Sequence, residues 1–241
     1  AAIPRASLRD SDRRMPRNHR SDGRTAVQNK RPKPAARGRN EVRIIGGRWR
    51  GRKIRFPDDT GIRPSPDRVR ETLFNWLAPA VRGARCLDLF AGSGVLGLEA
   101  LSRGAVGAVL VDRDRTVVRH LQDVTRKLDA AGATVIAADA LDWLAAGKGP
   151  FDIVFLDPPF DSTWLPALLG RLDEPGCLAP GAWVYVERPA AEGPPSLPAG
   201  WRLHRSGKAG DVGYYLAVRP GSPAGSPAAE PTPAGRGASE T

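Results

Sequence analysis

Asp157-Pro158-Pro159-Phe160 follows directly on the very apolar run Phe151-Asp152-Ile153-Val154-Phe155-Leu156. A carboxylate, two prolines and an aromatic ring in that order suit chemistry on an amino group conjugated with a ring. The lone pair of such an amine is delocalised, so attack on a methyl sulfonium needs the nitrogen to become tetrahedral. Two acceptors on its two N–H bonds favour that geometry and offset the positive charge developing on nitrogen. The Asp157 carboxylate and a proline carbonyl can be those acceptors. Prolines fix the carbonyl's direction and bring no competing N–H. Phe160 can stack on the base and hold it at attack distance. The plain structural alternative is a rigid loop start with Phe160 packed in the core.

A second set lies upstream. Asp88-Leu89-Phe90-Ala91-Gly92-Ser93-Gly94 follows a short strand and runs into a helix. Glycines there let backbone N–H groups approach a ligand, and a helix N-terminus favours carboxylates or phosphates. The stretch also reads Gly92-x-Gly94-x-x-Gly97, the dinucleotide fingerprint, so a nicotinamide oxidoreductase competes with a methyl-donor enzyme. Asp112 closes the next strand, where a carboxylate can accept both ribose hydroxyls of an adenosine, whichever cofactor carries it. Its alternative is a helix N-cap, for which Asp114 competes. Asp139, in Ala137-Ala138-Asp139-Ala140, can recognise an adenine amino group or cap the next short helix. Asp157-Pro158-Pro159-Phe160 discriminates between the cofactors, because a dehydrogenase has no use for it.

Positioning these residues takes a layered α/β body. The pattern predicts strands at Cys86–Leu89, Ala108–Val111, Thr134–Ile136, Phe151–Leu156 and Trp183–Val186. Helices are expected at Val95–Ser102, Thr116–Leu128 and near Trp164–Leu172. Alternation of this kind demands a mostly parallel sheet covered on both faces. Trp201–His204 and Tyr214–Val218, joined by the glycine-bearing 207–213 link, suggest an antiparallel hairpin at one edge. Ser65 and Pro66 offer an N-cap and an N1 proline for a helix with Val69, Leu73, Trp76 and Leu77 on its apolar stripe and Arg68, Arg70 and Glu71 largely off it. Trp143, Trp164, Trp183 and Trp201 read as core or edge packing. His19, His120 and His204 form no constellation.

Charge is lopsided. Of the 241 residues, the first 85 hold 23 basic and 8 acidic residues, whereas the remainder holds 14 and 18, so the overall +11 belongs to the N-terminal third. An excess of that kind points to a polyanionic partner. Val42–Ile45 and Lys53–Phe56 flank Gly46-Gly47 and Gly51 as a short hairpin would. Arg43, Arg48, Arg50, Arg52 and Lys53 there, with Arg55, suit phosphate contacts, and Trp49 can stack or anchor the hairpin. An extended reading puts Arg48, Arg50 and Arg52 on one face, Trp49 opposite. A merely solvated charged hairpin is the alternative, against which the acidic body argues.

These segments divide the chain into a basic arm (1–40), a basic hairpin extension (41–64), an enzyme domain (65–219) and a Pro/Ala/Gly tail (220–241). The arm, with 12 Lys/Arg and almost no large apolar residues, is expected to stay unfolded, as is the tail. Met15 lies within the arm, so translation could begin inside it. Cys86 and Cys177 have no partner at metal-ligand or redox spacing and read as buried hydrophobes, so no metal is expected. No run is apolar and long enough for a signal segment or a membrane span, which suggests a cytoplasmic protein.

Several longer segments carry a family resemblance: Arg43–Lys53; Arg63-Pro64 with Asp67–Leu77; Leu87-Asp88 with Phe90–Gly94; Leu96–Arg103; and Asp157–Phe160. Across roughly residues 42–219 the chain resembles the bacterial 16S ribosomal RNA guanine-N2 methyltransferases of the RsmD type. The resemblance implies a Rossmann-like class I methyltransferase fold, S-adenosylmethionine as donor and S-adenosylhomocysteine as product. It also implies a guanine of 16S rRNA as acceptor, in the small ribosomal subunit or an assembly intermediate, and a monomeric enzyme. By this likeness Asp88, Phe90, Gly92 and Gly94 match the cofactor loop, Asp112 the ribose-binding acid, and Asp157 to Phe160 the amine-binding loop. Asp139 falls where members of the family carry Asp or Asn. A DNA amino-methyltransferase remains an alternative, since the tetrapeptide alone distinguishes neither base nor sugar.

Overall fold

The computed structural model describes residues 40–57, 62, 64–159 and 163–221. The expected basic arm and nearly all of the tail lie outside these residues, as does Phe160.

The strands expected from short apolar runs form one sheet: β3 (Arg85–Asp88), β4 (Gly107–Asp112), β5 (Ala133–Ala137), β6 (Phe151–Leu156), β7 (Leu178–Pro189), β8 (Arg202–Ala209) and β9 (Val212–Val218). Their order is β5-β4-β3-β6-β7-β9-β8. The five from β3 to β7 run parallel, and β9 pairs antiparallel with both β7 and β8. The late hairpin is therefore at an edge, with its second strand inserted between the first and the parallel body. Central strands need apolar residues on both faces. In β6, Ile153 and Phe155 pack into one core layer while Val154 and Leu156 pack into the other.

Helices α1 (Asp67–Trp76), α2 (Val95–Ser102) and α3 (Arg115–Lys127) line the first layer, and α4 (Ala140–Ala145) and α5 (Leu165–Asp173) the second. Asp114 is the N-cap of α3, accepting from the backbone N–H of Thr116 and Val117. Asp139 caps α4 through the Leu141 N–H. None of the helices formed by the described residues is long and apolar enough to cross a membrane.

Three local expectations need correction. Pro66, not Ser65, occupies the N-cap position of α1, without a side-chain cap, and the Ser65 hydroxyl is engaged elsewhere. Arg70, expected off the buried stripe, is wholly buried, because carboxylates from two elements surround its guanidinium. The extension is also not extended throughout. Its strands β1 (Glu41–Arg43) and β2 (Lys53–Arg55) pair antiparallel, but Gly47–Trp49 between them is a 3₁₀ turn.

That turn is shaped by its docking on α2. Gly47 has φ +73°, and a Cβ there would stand 1.8 Å from the Ser102 carbonyl oxygen, so only glycine fits. The neighbouring Ile45 and Gly46 N–H groups both donate to the buried Glu99 carboxylate, at 2.7 Å each. Ser102 donates to the Gly46 carbonyl and accepts from the Trp49 N–H.

Candidate active site

In an open α/β sheet, ligands bind beyond the carboxyl ends of the strands where the order reverses. Here the reversal lies at β3, which has β4 on one side and β6 on the other. A cavity of about 540 Å³ opens there, within the roughly 300–1,000 Å³ range of small-ligand sites. Asp88, Phe90, Gly92, Asp112, Asp139 and Asp157 all contribute to its wall. The structure thus brings together the acids that end β3 and β4, those that follow β5 and β6, and part of the glycine loop. Gly94 is not in the wall; it is the left-handed N-cap residue of α2, with φ +75°.

Asp88 is buried at 2% exposure. Its Oδ2 accepts from the Gly97 N–H at 3.2 Å, while Oδ1 has no hydrogen-bond partner among the described residues. Burial, and secondarily the charge of Asp112, pushes its carboxyl up to about 7 against the pull of the Gly97 and Phe90 N–H groups. Gly97, the last glycine of the fingerprint, serves packing: a Cβ would meet the Leu110 side chain at 2.2 Å.

Asp112 accepts from the Gly92 N–H through Oδ2 at 3.0 Å and from the Asp114 N–H through Oδ1 at 2.9 Å. It fixes the glycine loop, and each oxygen keeps a second lone pair for a ligand. Trp164, expected in core or edge packing, packs half-buried against the second core layer and also lines the cavity. Its ring stacks on Phe90 with centroids 6.1 Å apart and carries the Arg113 guanidinium 5.3 Å from its centre.

Asp157, Pro158 and Pro159 complete the cavity beyond the end of β6. Burial pushes the Asp157 carboxyl well above the ordinary range, helped by the negative charges of Glu187 and Asp88. Glu187 was not singled out in the sequence, although a charge ending the apolar run Trp183-Val184-Tyr185-Val186 was a visible signal. It is buried at 3% exposure, and its Oε1 accepts from both the Ser65 hydroxyl and the Tyr185 hydroxyl, the latter at 2.8 Å. A second cavity, of about 480 Å³, shares Pro158 and Pro159 with the first and has Glu187 in its wall.

The hairpin's cations divide by partner. Arg43 pairs with Asp67, and Lys53 and Arg55 with Glu41. The Arg48 guanidinium lies 4.0 Å from the centre of the Trp49 ring, which is itself buried at 9% exposure and anchors the turn. Arg50 and Arg52 are exposed and make no salt bridge among the described residues.

Strand order and the acids at the strand ends define a Rossmann-like class I methyltransferase. Residues 42–218 match the family described as Conserved hypothetical protein 95. Over 187 residues the chain is 50% identical to ribosomal RNA small subunit methyltransferase D of Escherichia coli (strain K12), covering 78% of this chain and 94% of that protein. The enzyme of the same name from Haemophilus influenzae is 43% identical, with 76% and 95% covered. The solved structure of the Escherichia coli protein yhhF superposes with a TM-score of 0.70 at 49% identity, covering 75% of this chain and 98% of that one. The chain belongs to this family, the one that includes ribosomal RNA small subunit methyltransferase D.

Proposed function

We propose that the enzyme transfers a methyl group from S-adenosylmethionine to the exocyclic N2 of a guanine in 16S rRNA, within the small ribosomal subunit or an assembly intermediate, working in the cytoplasm as a monomer. The observation that carries the reading is the Asp157-Pro158-Pro159 loop at the wall of a cavity whose other acids are Asp88, Asp112 and Asp139. The names of the 50% and 43% identical relatives support the ribosomal acceptor.

The cavity suits the donor chemically. Asp88 Oδ1 is a buried acceptor lacking a partner among the described residues, and such a group costs free energy until a donor such as the amino acid ammonium reaches it. Asp112 has lone pairs for the ribose hydroxyls, Asp139 Oδ2 for the adenine amino group, and Phe90 and Trp164 offer apolar walls. When bound, S-adenosylmethionine supplies an electrophilic methyl on a sulfonium. The chain's own part is to place the amine. Asp157 accepts one N–H, the Pro158 carbonyl the other, and the nitrogen lone pair is freed for in-line attack. Pro159 stiffens the turn, Phe160 stacks the base, and the hairpin grips the RNA backbone, Arg50 and Arg52 foremost.

The test is incubation with labelled donor and either small-subunit particles from cells lacking the protein or duplex DNA. Label is expected in one guanosine of 16S rRNA, as the N2-methyl nucleoside. Labelling of DNA alone, or of another base, overturns the reading.

A further inference from the structure

Neither the loop nor the donor cavity tells guanine from another amino-bearing base. Glu187 can. The parallel register ends with Leu156 of β6 opposite Val186 of β7, and Asp157 and Glu187 are the residues that follow that pair, Asp157 in the loop beyond β6 and Glu187 still within β7. Glu187 is near enough for its negative charge to help raise the Asp157 carboxyl.

Glu187 is held with unusual care. Ser65, just ahead of α1, and Tyr185, two residues back on the same strand, both donate to Oε1. With Oε1 tethered twice, Oε2 has a fixed direction, and Glu187 contributes to the wall of the second cavity beside Pro158 and Pro159. The remaining charged groups of that wall, Arg188 and Glu192, are paired with each other. A buried acid with two donors on one oxygen, in the wall of a cavity next to the Asp157-Pro158-Pro159 turn, keeps its other oxygen for a third donor.

We propose that the second cavity receives the acceptor base and that Glu187 Oε2 accepts the N1–H of guanine while Asp157 and the Pro158 carbonyl hold N2. This assignment rests on the amine-methylation reading above. Guanine alone among the common bases carries an N–H beside its amino-bearing carbon on the Watson–Crick edge. Adenine N1 and cytosine N3 present a lone pair there, which a carboxylate repels, so Glu187 selects guanine by attraction and rejects the others by repulsion.

The test uses small-subunit particles reconstituted with 16S RNA carrying either guanine or 2-aminopurine at the methylated position. 2-Aminopurine keeps the amino group but has no proton on N1. Wild-type enzyme is expected to lose about 10- to 100-fold in kcat/KM on 2-aminopurine, the worth of one hydrogen bond to a charged group. Glu187→Gln, which presents an amide N–H in place of an acceptor oxygen, is expected to lose a similar factor on guanine and to shrink the preference to threefold or less. The double comparison separates N1 from the missing O6 of the analogue, because only the N1 contribution depends on residue 187. Equal use of the two purines by wild type overturns the inference and leaves the amine-methylation reading standing, and this comparison suffices even if the variant does not fold. Undiminished preference in a folded Glu187→Gln likewise overturns it. Failure of wild type to label the guanine particle takes down both.

Discussion

Three carboxyls, those of buried Asp88 and Glu187 and of half-buried Asp157, are all pushed upward in the ligand-free protein, desolvation being the largest cause at each. Under the proposed function their roles separate by what each would face. Asp157 meets the amine, so Asp157→Ala should lower kcat by about 10² to 10⁴-fold while S-adenosylhomocysteine affinity stays within a few-fold of wild type. Titration calorimetry beside a single-turnover assay measures both, and full activity in the variant would remove Asp157 from the reaction. Asp157→Asn then asks whether the group removes the proton or only accepts its hydrogen bond. Asp88 faces the donor, and its behaviour is a matter of pH. Its folded value of about 7 lies above the ordinary 3.8, so its contribution to stability is complete below the ordinary value and is lost as pH rises through about 7. An ammonium ligand reverses the preference, since it favours the ionised carboxyl. Binding below pH 7 must expel a proton, and the affinity for S-adenosylhomocysteine should strengthen by up to about tenfold from pH 6 to pH 8 before levelling. Asp88→Asn should bind more weakly and without that rise; an unchanged slope in the variant would assign the proton elsewhere.

Element by element, what the sequence disclosed depended on how local the cause was. Helix α2 and strand β6 have the bounds their patterns predicted, because each is an apolar run with a glycine-bearing turn before it. The acids at the strand ends were legible for the same reason, as each follows a strand that announces itself. The bond between Ser65 and Glu187 was not, since it spans 122 residues, and the burial of Arg70 was not, since it depends on Glu99 of another helix as well as on nearby Asp67. The docking of the hairpin is another such long-range feature. Glu99, wholly buried on α2, accepts the Ile45 and Gly46 N–H groups and also faces Arg70 and Arg103. Removing one partner from a buried charge cluster typically costs about 3–5 kcal/mol. Glu99→Ala should cost that much in urea unfolding. The milder Glu99→Gln should speed hydrogen exchange at Ile45 and Gly46 and weaken RNA binding while leaving S-adenosylhomocysteine binding near wild type. If RNA affinity survives a loosened turn, the extension does not need to be held rigid to grip its substrate.

For the whole molecule, the separation of charge sets how substrate is found and held. A net-acidic body follows a basic N-terminal third, so along the sequence attraction for a polyanion is concentrated in the first 85 residues, the hairpin among them. Within the hairpin, however, formal charge overstates what is available. Arg43, Lys53 and Arg55 already pair with Asp67 or Glu41, and Arg48 covers Trp49. Arg50 and Arg52 carry no such partner among the described residues and are exposed. Each cation that neutralises a phosphate releases condensed counterions, which makes the logarithm of affinity fall linearly with the logarithm of salt, with a slope of about 0.7 to 0.9 per contact. Arg50→Ala and Arg52→Ala should therefore each reduce the salt slope of 16S rRNA binding by nearly one. Lys53→Ala should change it less, because a cation already neutralised by Glu41 makes no phosphate contact of its own and releases few counterions. Measured from 50 to 300 mM salt by filter binding, equal losses at Arg50, Arg52 and Lys53 would mean that RNA pulls the paired cations off their carboxylates. The hairpin would then bind as an undivided patch of charge, and its folded pairing would have no bearing on recognition.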